Sequence, residues 1–267
     1  SDISDAEAWV NDIVPTVVSV AWNTETTGPT WVEYGQTEDF EGGRVDSLSA
    51  GETHEVLLLG LEPDQDILWR LGSEVDGEII YTQPQQITTG MQPNYFPEIH
   101  VDDWQPEARS DGYLLSTIIG TERNLIGILN RAGAIVWWYE DEQPDFWSSR
   151  ARFAPDGSGI LYNRFDQNLS GEGSVIIKVS WTGETEEFSV PQTHHDFIVH
   201  PDGTIGAIIN SRSSNVQSPL TAGGIVEISP EGEMTEIWSA WNVLVPPTET
   251  EYEGANDWTH FNALAYD

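Results

Sequence analysis

Two short segments carry most of the residues that could do chemistry. The first is Thr193-His194-His195-Asp196, in which two adjacent imidazoles stand beside a carboxylate. The second is Asn-Asp-Trp-Thr-His-Phe-Asn at 256–262, which contains His260 and Asn262. An imidazole with a pKa of about 6.5 is partly neutral near pH 7, so it can act as a nucleophile or exchange a proton. Both segments stand at the start of a predicted strand of the type that opens each repeat described below. Residues from different repeats can converge although they are far apart in sequence, so together the two segments form the candidate site.

Plainer interpretations of these residues remain open. Taken alone, His194 and His195 favour a structural role at the start of a strand. Tandem histidines near an aspartate also suit zinc or copper, but a third well-spaced ligand is not evident, so no metal site is predicted. Asp257 and Trp258 could be packing residues, as Trp-Asp pairs are in propellers. His200 precedes a turn and is expected at the surface.

The elements that must position these residues are strands. Short stretches rich in Val, Ile, Trp and Tyr alternate with Gly, Pro, Asp and Asn, and almost no segment has helical periodicity. This pattern predicts an all-β protein. Strands are expected at VVSVAW (17–22), at TWVEYG (30–35) and within 54–82.

Residues 1–92 are predicted to form a β-sandwich. Leu61-x-Pro63 with the alternating Ile67, Trp69 and Leu71 resembles a fibronectin type III domain, although Ile67 stands where the tyrosine of the tyrosine corner is usual. Such a domain can serve as a spacer or an adhesion module. Residues 93–103 are predicted to be a linker.

A repeat begins at residue 104. Three strand–turn–strand segments each turn around one glycine, at Gly133, Gly183 and Gly232, and two copies of a second hairpin place Pro155 and Pro201 46 residues apart. Two hairpins in a period of about 50 residues are typical of four-stranded propeller blades. Residues 104–267 hold three to four such periods, so we expect an incomplete propeller, either in a fragment or in a homo-oligomer that completes the ring.

The two histidine segments resemble the arylsulfotransferase family, whose bacterial and archaeal enzymes are six-bladed propellers behind a small β domain. The family pattern His-His-Asp, strand, Pro-x-Gly is matched at 194–203, and the pattern Asp-Trp-x-His-x-Asn is matched in full at 257–262. The resemblance covers residues 104–267 and the two-domain layout.

The resemblance implies sulfuryl transfer from an aryl sulfate to a phenol without a nucleotide-activated sulfate (PAPS) and without a cofactor. It places His195, His260 and Asn262 at catalytic, oxygen-binding and proton-handling positions, with His194 beside them in a substrate-binding role. Arg212 is a substrate-binding candidate by position only. The family's nucleophilic histidine and one oxygen-binding arginine come after Asn262 and have no counterpart here, so we expect these residues alone to carry half a site with little activity.

The net charge limits the environments and the binding partners that suit this protein. There are 45 acidic and 10 basic residues, for a net charge of −35, and Lys178 is the one lysine. Since the Debye length is about 3 Å at 1 M salt, concentrated salt would screen this self-repulsion. We therefore expect a halophilic, archaeal-like protein, with a generic acidic secreted protein as the alternative. Nucleic acid and anionic membranes are unfavourable partners for such a surface.

Other features point to export. The chain has no cysteine, no apolar run near the roughly 20 residues of a membrane helix, no initiator Met and one sequon at 168–170. The missing initiator Met and the sequon favour a secreted or cell-surface location, whereas the lack of cysteine excludes disulfides and thiolate metal sites. The alternative to an enzyme is a non-catalytic propeller used for binding, adhesion or assembly at the cell surface.

Overall fold

The computed structural model describes residues 2–97, 99–100, 105, 107, 112–119, 123–143, 145–166, 173–212, 220–245 and 258–265. In these ranges nearly all regular structure is antiparallel strand, which confirms the predicted all-β class. Two compact units make up the chain, the first from 1–114 with 127–138 and the second from 115–126 with 139–267. The predicted bounds 1–92, 93–103 and 104–267 stay a prediction, and part of the proposed linker lies outside the described residues.

The first unit is a two-sheet structure. Its strands are β1 (Ile3–Val10), β2 (Val18–Thr24), β3 (Thr30–Gly35), β4 (Gly43–Asp46), β5 (Thr53–Leu58), β6 (Asp66–Val75), β7 (Glu78–Tyr81) and β8 (Gln85–Thr88). One sheet has the order β1-β2-β5, and the other has the order β4-β3-β6-β7 with β8 also paired to β6. This is the predicted sandwich, and two of its strands match 17–22 and 30–35 closely.

The core of this unit lies between its two sheets. Trp22 from β2 and Leu58 from β5 meet Trp69 and Leu71 from β6 in one buried cluster. Alternation produces this arrangement, since successive side chains of a strand point to opposite faces. Each large apolar side chain buried here contributes about 1.5–3 kcal/mol. The fibronectin likeness itself stays a prediction.

The remaining elements begin with β9 (Leu114–Ile119), β10 (Asn124–Leu129) and β11 (Ile135–Asp141), which form a sheet of order β11-β10-β9. The second unit continues with β12 (Phe146–Trp147), β13 (Ala151–Phe153), β14 (Gly159–Asp166), β15 (Val175–Ser180), β16 (Thr185–Ser189), β17 (Thr193–Val199), β18 (Ile205–Arg212), β19 (Thr221–Ile228), β20 (Met234–Ser239) and α1 (Ala240–Val243). Within the described ranges α1 is the one helix, and its four residues are far too few to cross a membrane.

Two successive antiparallel sheets of the second unit are consistent with the predicted blades, and the propeller itself stays a prediction. Their orders are β12-β14-β15-β16, with β13 also paired to β14, and β17-β18-β19-β20. Gly183 and Gly232 have positive φ values of 92° and 86° in the tight turns before β16 and β20. Glycine adopts this conformation without steric cost, which explains its recurrence in the repeat. Phe197, Ile205 and Ile176 belong to the apolar cluster shared by the two sheets.

Candidate active site

Three imidazoles from two segments that are far apart in sequence come together in the second unit. Nε2 of His195 lies 2.8 Å from Nε2 of His260. The ring of His194 stacks on that of His260 with centroids 5.6 Å apart, and it meets the ring of His195 edge-on at 5.0 Å. We call His194, His195 and His260 the histidine cluster. Its formation brings together three of the residues that sequence analysis singled out.

The bond between the two Nε2 atoms constrains the protons of the pair. One of these nitrogens must carry the hydrogen and donate it, while the other must accept it with a lone pair. His260 is exposed and His195 is half-buried, whereas His194 is fully buried beneath them. The pair therefore shares one proton near the surface, backed by a third imidazole.

A β-bulge in β17 sets the direction of the His195 side chain. In the pairing of β17 with β18, Thr193 lies opposite Ile209 and Phe197 lies opposite Ala207, so three residues of β17 face one of β18. His195 itself has a φ of 56°, in the left-handed region that costs a non-glycine residue about 1–2 kcal/mol. Bulges often re-aim side chains next to functional sites, and strain of this kind persists where neighbouring contacts enforce it.

One such contact holds the strained backbone. Ser149 Oγ donates a hydrogen bond of 2.5 Å to the carbonyl oxygen of His195. The backbone N–H groups of Ser149 and Arg150 in turn donate to Oδ1 of Asn163, which is buried in β14. The ring of Phe165, also on β14, packs edge-on against the His195 ring at 6.0 Å. The neighbouring sheet thus fixes both the backbone and the ring of His195.

His260 lies on a segment, residues 258–265, that runs beside β19. The N–H of Trp258 donates to the carbonyl oxygen of Thr221 at 3.1 Å, and the N–H of Gly223 donates to Oγ1 of Thr259 at 2.7 Å. The prediction that a strand begins here was wrong for the described residues 258–265, which form no ladder. Here a side-chain oxygen replaces a ladder bond. Thr259 Oγ1 accepts the Gly223 N–H, which a backbone carbonyl oxygen would accept if a strand were paired there.

Packing against β19 fixes the same segment. The Phe261 ring lies directly over Gly223, where an added Cβ would be 2.3 Å from Phe261 Cδ2. Its other neighbour is Trp238 on β20, with ring centroids 5.6 Å apart. A larger residue at position 223 would therefore push Phe261 away, and His260 with it.

The carboxylate of Asp196 lies beneath the cluster. It is 2 % exposed, and its Oδ1 accepts bonds of 3.0 Å from both Arg150 Nε and Arg152 Nη2. Its Oδ2 accepts the N–H of Leu264 at 3.0 Å. A buried charge is costly unless it is paired and hydrogen-bonded, and these three donors meet that requirement.

The other predicted site residues are less closely engaged. Asn262 is exposed, two residues after His260, and no described hydrogen bond joins it to an imidazole. The backbone of Arg212 ends β18, paired with Thr221, but its side chain lies outside the described residues. Asp257 and the sequon at 168–170 also lie outside them. The roles assigned to Asn262 and Arg212 stay predictions.

Sequence reasoning missed the two arginines. Arg150 and Arg152 are two of only ten basic residues in an intensely acidic chain, and they stand two positions apart just before the first Pro-Asp-Gly turn. That rarity was the one signal that the sequence offered for them. In the described ranges, no group of three or more His, Asp and Glu side chains is arranged to hold a metal ion.

The histidine segments fall within a region that matches a known family. The family described as "Arylsulfotransferase (ASST)" matches residues 103–267. The chain belongs to the arylsulfotransferase family. The resemblance drawn from residues 194–203 and 257–262 is thereby confirmed at the level of the family, and arylsulfotransferase-like function follows at that level.

Comparisons with individual proteins add little to the family assignment. No curated protein matches the chain. A crystal structure of a protein from Lactobacillus plantarum is 13% identical, covering 83% of this chain and 67% of that chain with a TM-score of 0.30. The FN1–FN3 domains of chicken CNTN1 are 12% identical, covering 89% of this chain and 88% of that chain with a TM-score of 0.26. Neither likeness is strong enough to inform the fold or the function.

Proposed function

We propose that the histidine cluster binds the sulfuryl group of an aryl sulfate and takes part in its transfer to a phenolic acceptor without a nucleotide-activated donor. The observation that carries this proposal is the convergence of His195 and His260, with their Nε2 atoms 2.8 Å apart, in the region that matches the arylsulfotransferase family. Aryl sulfates and phenols are the substrates that this family implies. No cofactor is required by the chemistry proposed.

The reaction we propose proceeds through a histidine intermediate. A neutral imidazole nitrogen attacks sulfur and forms an N–S bond as the bond from sulfur to the aryl oxygen breaks. The aryl oxygen leaves as a phenol after taking up a proton. The acceptor phenol then loses its proton while its oxygen attacks sulfur, and the N–S bond breaks. Charge develops on the leaving and equatorial oxygens, so fixed hydrogen-bond donors stabilise the transition state.

His195 and His260 are suited to two tasks in this scheme. When a bound substrate replaces this mutual bond, the Nε2–H of one ring can protonate the leaving phenolate, and the freed Nε2 lone pair of the other ring can take a proton from the acceptor. Imidazole N–H groups can also hold sulfuryl oxygens, a task shared with His194, Asn262 and Arg212 in this proposal. The resemblance assigns the covalent acceptor to a histidine later in the family pattern than Asn262, and we keep that assignment.

Turnover by the protein purified from its source tests the reaction. With 4-nitrophenyl sulfate as donor, we expect phenol to accelerate release of 4-nitrophenol and to be converted into phenyl sulfate. His260→Ala should abolish binding of the donor. His200→Ala is the matched control, since His200 directly follows β17, the strand that carries His194 and His195, but lies outside the cluster.

Two outcomes would count against the proposal. Donor binding with no phenol-dependent release would favour the alternative of a non-catalytic binding protein. Equal donor binding by the wild type and the His260→Ala variant would remove the histidine cluster from the site.

We also propose that the protein works outside the cell or at its surface, in concentrated salt. The net charge of −35 supports this setting, because such a surface repels itself wherever salt does not screen it. The free energy of unfolding should therefore rise between about 0.1 M and about 3 M KCl, as the Debye length falls from about 10 Å to under 3 Å. A free energy that is flat across this range would contradict salt adaptation.

A further inference from the structure

We infer that Asp196 is a positioning residue that aligns His195 with His260. The described hydrogen bonds of the carboxylate go to two arginines and two backbone N–H groups, so it acts on the backbone segments that carry the two Nε2 atoms. The catalytic meaning of this alignment rests on the proposed function. The alignment itself can be tested without any substrate.

The first step of the argument is where the carboxylate bonds. Asp196 directly follows His195 on β17, and its Oδ2 accepts the N–H of Leu264 at 3.0 Å. Leu264 is four residues after His260 on the segment 258–265. This hydrogen bond therefore joins the backbone that carries one imidazole to the backbone that carries the other.

The second step is what holds the carboxylate in place. Its Oδ1 accepts hydrogen bonds from Arg150 Nε and Arg152 Nη2, each at 3.0 Å, and from the N–H of Phe197 at 2.9 Å. Arg152 also donates through Nε to the carbonyl oxygen of Phe197. Because these three donors hold Oδ1, the orientation of the whole carboxylate is fixed. Oδ2 then points towards the N–H of Leu264.

The third step concerns the arginine strand. Arg150 follows Ser149, whose hydroxyl donates to the carbonyl oxygen of His195. The segment 149–152 thus holds both the side chain of Asp196 and the backbone of His195. Three stretches of chain, at 149–152, 193–199 and 258–265, are joined through a single buried carboxylate that is 2 % exposed.

The fourth step is why alignment matters. A hydrogen bond between two imidazoles weakens steeply when the angle at the hydrogen departs from a straight line. Side chains at reacting atoms are commonly oriented by partners one layer behind them, whose loss lowers function although they never touch the substrate. Asp196 occupies that position relative to His195 and His260.

The substitution Asp196→Asn isolates this role. The amide keeps the shape and retains one oxygen for the arginines, but its NH2 group cannot accept the N–H of Leu264. The matched control is Asp141→Asn, which changes another carboxylate of the same unit. Asp141 is 4 % exposed and accepts a hydrogen bond of 2.8 Å from the Tyr162 hydroxyl, so its loss also disturbs a buried carboxylate.

The experiment is NMR of the full chain labelled with ¹⁵N at its histidines, in molar KCl and without substrate. In the wild type we expect scalar coupling between the two Nε2 nuclei across their shared hydrogen. Asp196→Asn should lose this coupling, and Asp141→Asn should keep it. A merely structural contribution of Asp196 would lower stability in both variants and leave the coupling in place in each folded protein.

A second variant covers the case in which Asp196→Asn does not fold. Leu264→Pro removes the N–H that Oδ2 accepts while leaving the carboxylate and its arginines intact, in a segment that belongs to no ladder. This variant should also lose the coupling. Retained coupling in either folded variant would overturn the inference. The absence of aryl sulfate turnover would refute the proposed function but would leave this result unchanged.

Discussion

His54 in the first unit and the histidine cluster in the second show one side chain in two settings. Both ring nitrogens of His54 are engaged by hydroxyls, with Nε2 3.1 Å from Thr24 Oγ1 and Nδ1 2.9 Å from Ser47 Oγ. Its ring is 1 % exposed and stacks on Trp22 at 5.2 Å. Such a histidine is part of the core, because neither nitrogen is available to a ligand.

Two members of the cluster differ from His54 in both burial and hydrogen-bond partners. His195 and His260 hydrogen-bond to one another at the surface, and His195 has a strained φ of 56° whereas His54 lies in a regular strand. Strain and exposed polar atoms that the surrounding structure maintains are characteristic of functional sites. The comparison shows that the hydrogen-bond partners of an imidazole distinguish a histidine that packs in a core from one that can take part in chemistry. Proximity to polar groups alone does not.

The largest effect is expected for the aromatic neighbour of His54. Trp22→Ala removes a fully buried ring and its hydrogen bond to Thr30, so the free energy of unfolding should fall by about 3–5 kcal/mol. Chemical denaturation in molar salt measures the loss. The coupling within the His195–His260 pair should survive in the folded variant; its disappearance would mean that the two regions do not behave independently.

The next effect concerns donor binding. His195→Ala removes a hydrogen bond to an anionic group, which contributes about 1.5–3 kcal/mol, or roughly tenfold to 150-fold in the dissociation constant of 4-nitrophenyl sulfate. Calorimetric titration measures it. His54→Gln is the control and should leave the dissociation constant unchanged. If the two variants weakened binding equally, the contrast between the two settings would fail.

His54 should make the stability of the protein depend on pH. Burial lowers the pKa of His54 below its ordinary value, so the unfolded chain takes up a proton at a higher pH than the folded protein. The wild type should therefore lose stability as the pH falls below about 6.5, by at most about 1.4 kcal/mol per pH unit from this group. His54→Gln lacks this loss, so its stability deficit relative to the wild type should shrink between pH 7.5 and pH 5.5, as urea denaturation would measure. A deficit that grows on acidification would show the opposite sign.

The smallest effect tests the backbone at the two histidines. Because His195 has a positive φ, His195→Gly should be about 1 kcal/mol more stable than His195→Ala. His54 lies in β5, where glycine is less favourable than alanine, so His54→Gly should be about 0.5–1 kcal/mol less stable than His54→Ala. Thermal denaturation of the four variants measures both differences. Differences of the same sign would show that His195 is not strained.

Much of this arrangement could be predicted from the sequence, because local patterns determine it. The alternation of apolar residues indicated the strands at 17–22 and 30–35, and the recurring glycines indicated the turns at Gly183 and Gly232. The two histidine segments were also expected to converge, since both belong to repeated elements. These predictions needed only strand periodicity and turn chemistry.

The rest depends on contacts between distant segments. The ion pairs from Arg150 and Arg152 to Asp196 span 46 and 44 residues, and no local pattern predicts which carboxylate a rare arginine will meet. Residues 258–265 were expected to form a strand, but hydroxyl and carboxylate oxygens replace the ladder there. The bulge in β17 likewise follows from tertiary packing, which sequence periodicity does not encode.

The most direct test of the central claim is a titration of the histidine-labelled protein with 4-nitrophenyl sulfate, followed by ¹⁵N NMR. The account predicts that the ring nitrogen signals of His195 and His260 shift and saturate together, while those of His54 stay where they are. Signals of His195 and His260 that do not move at saturating donor, or that move no more than those of His54, would contradict it.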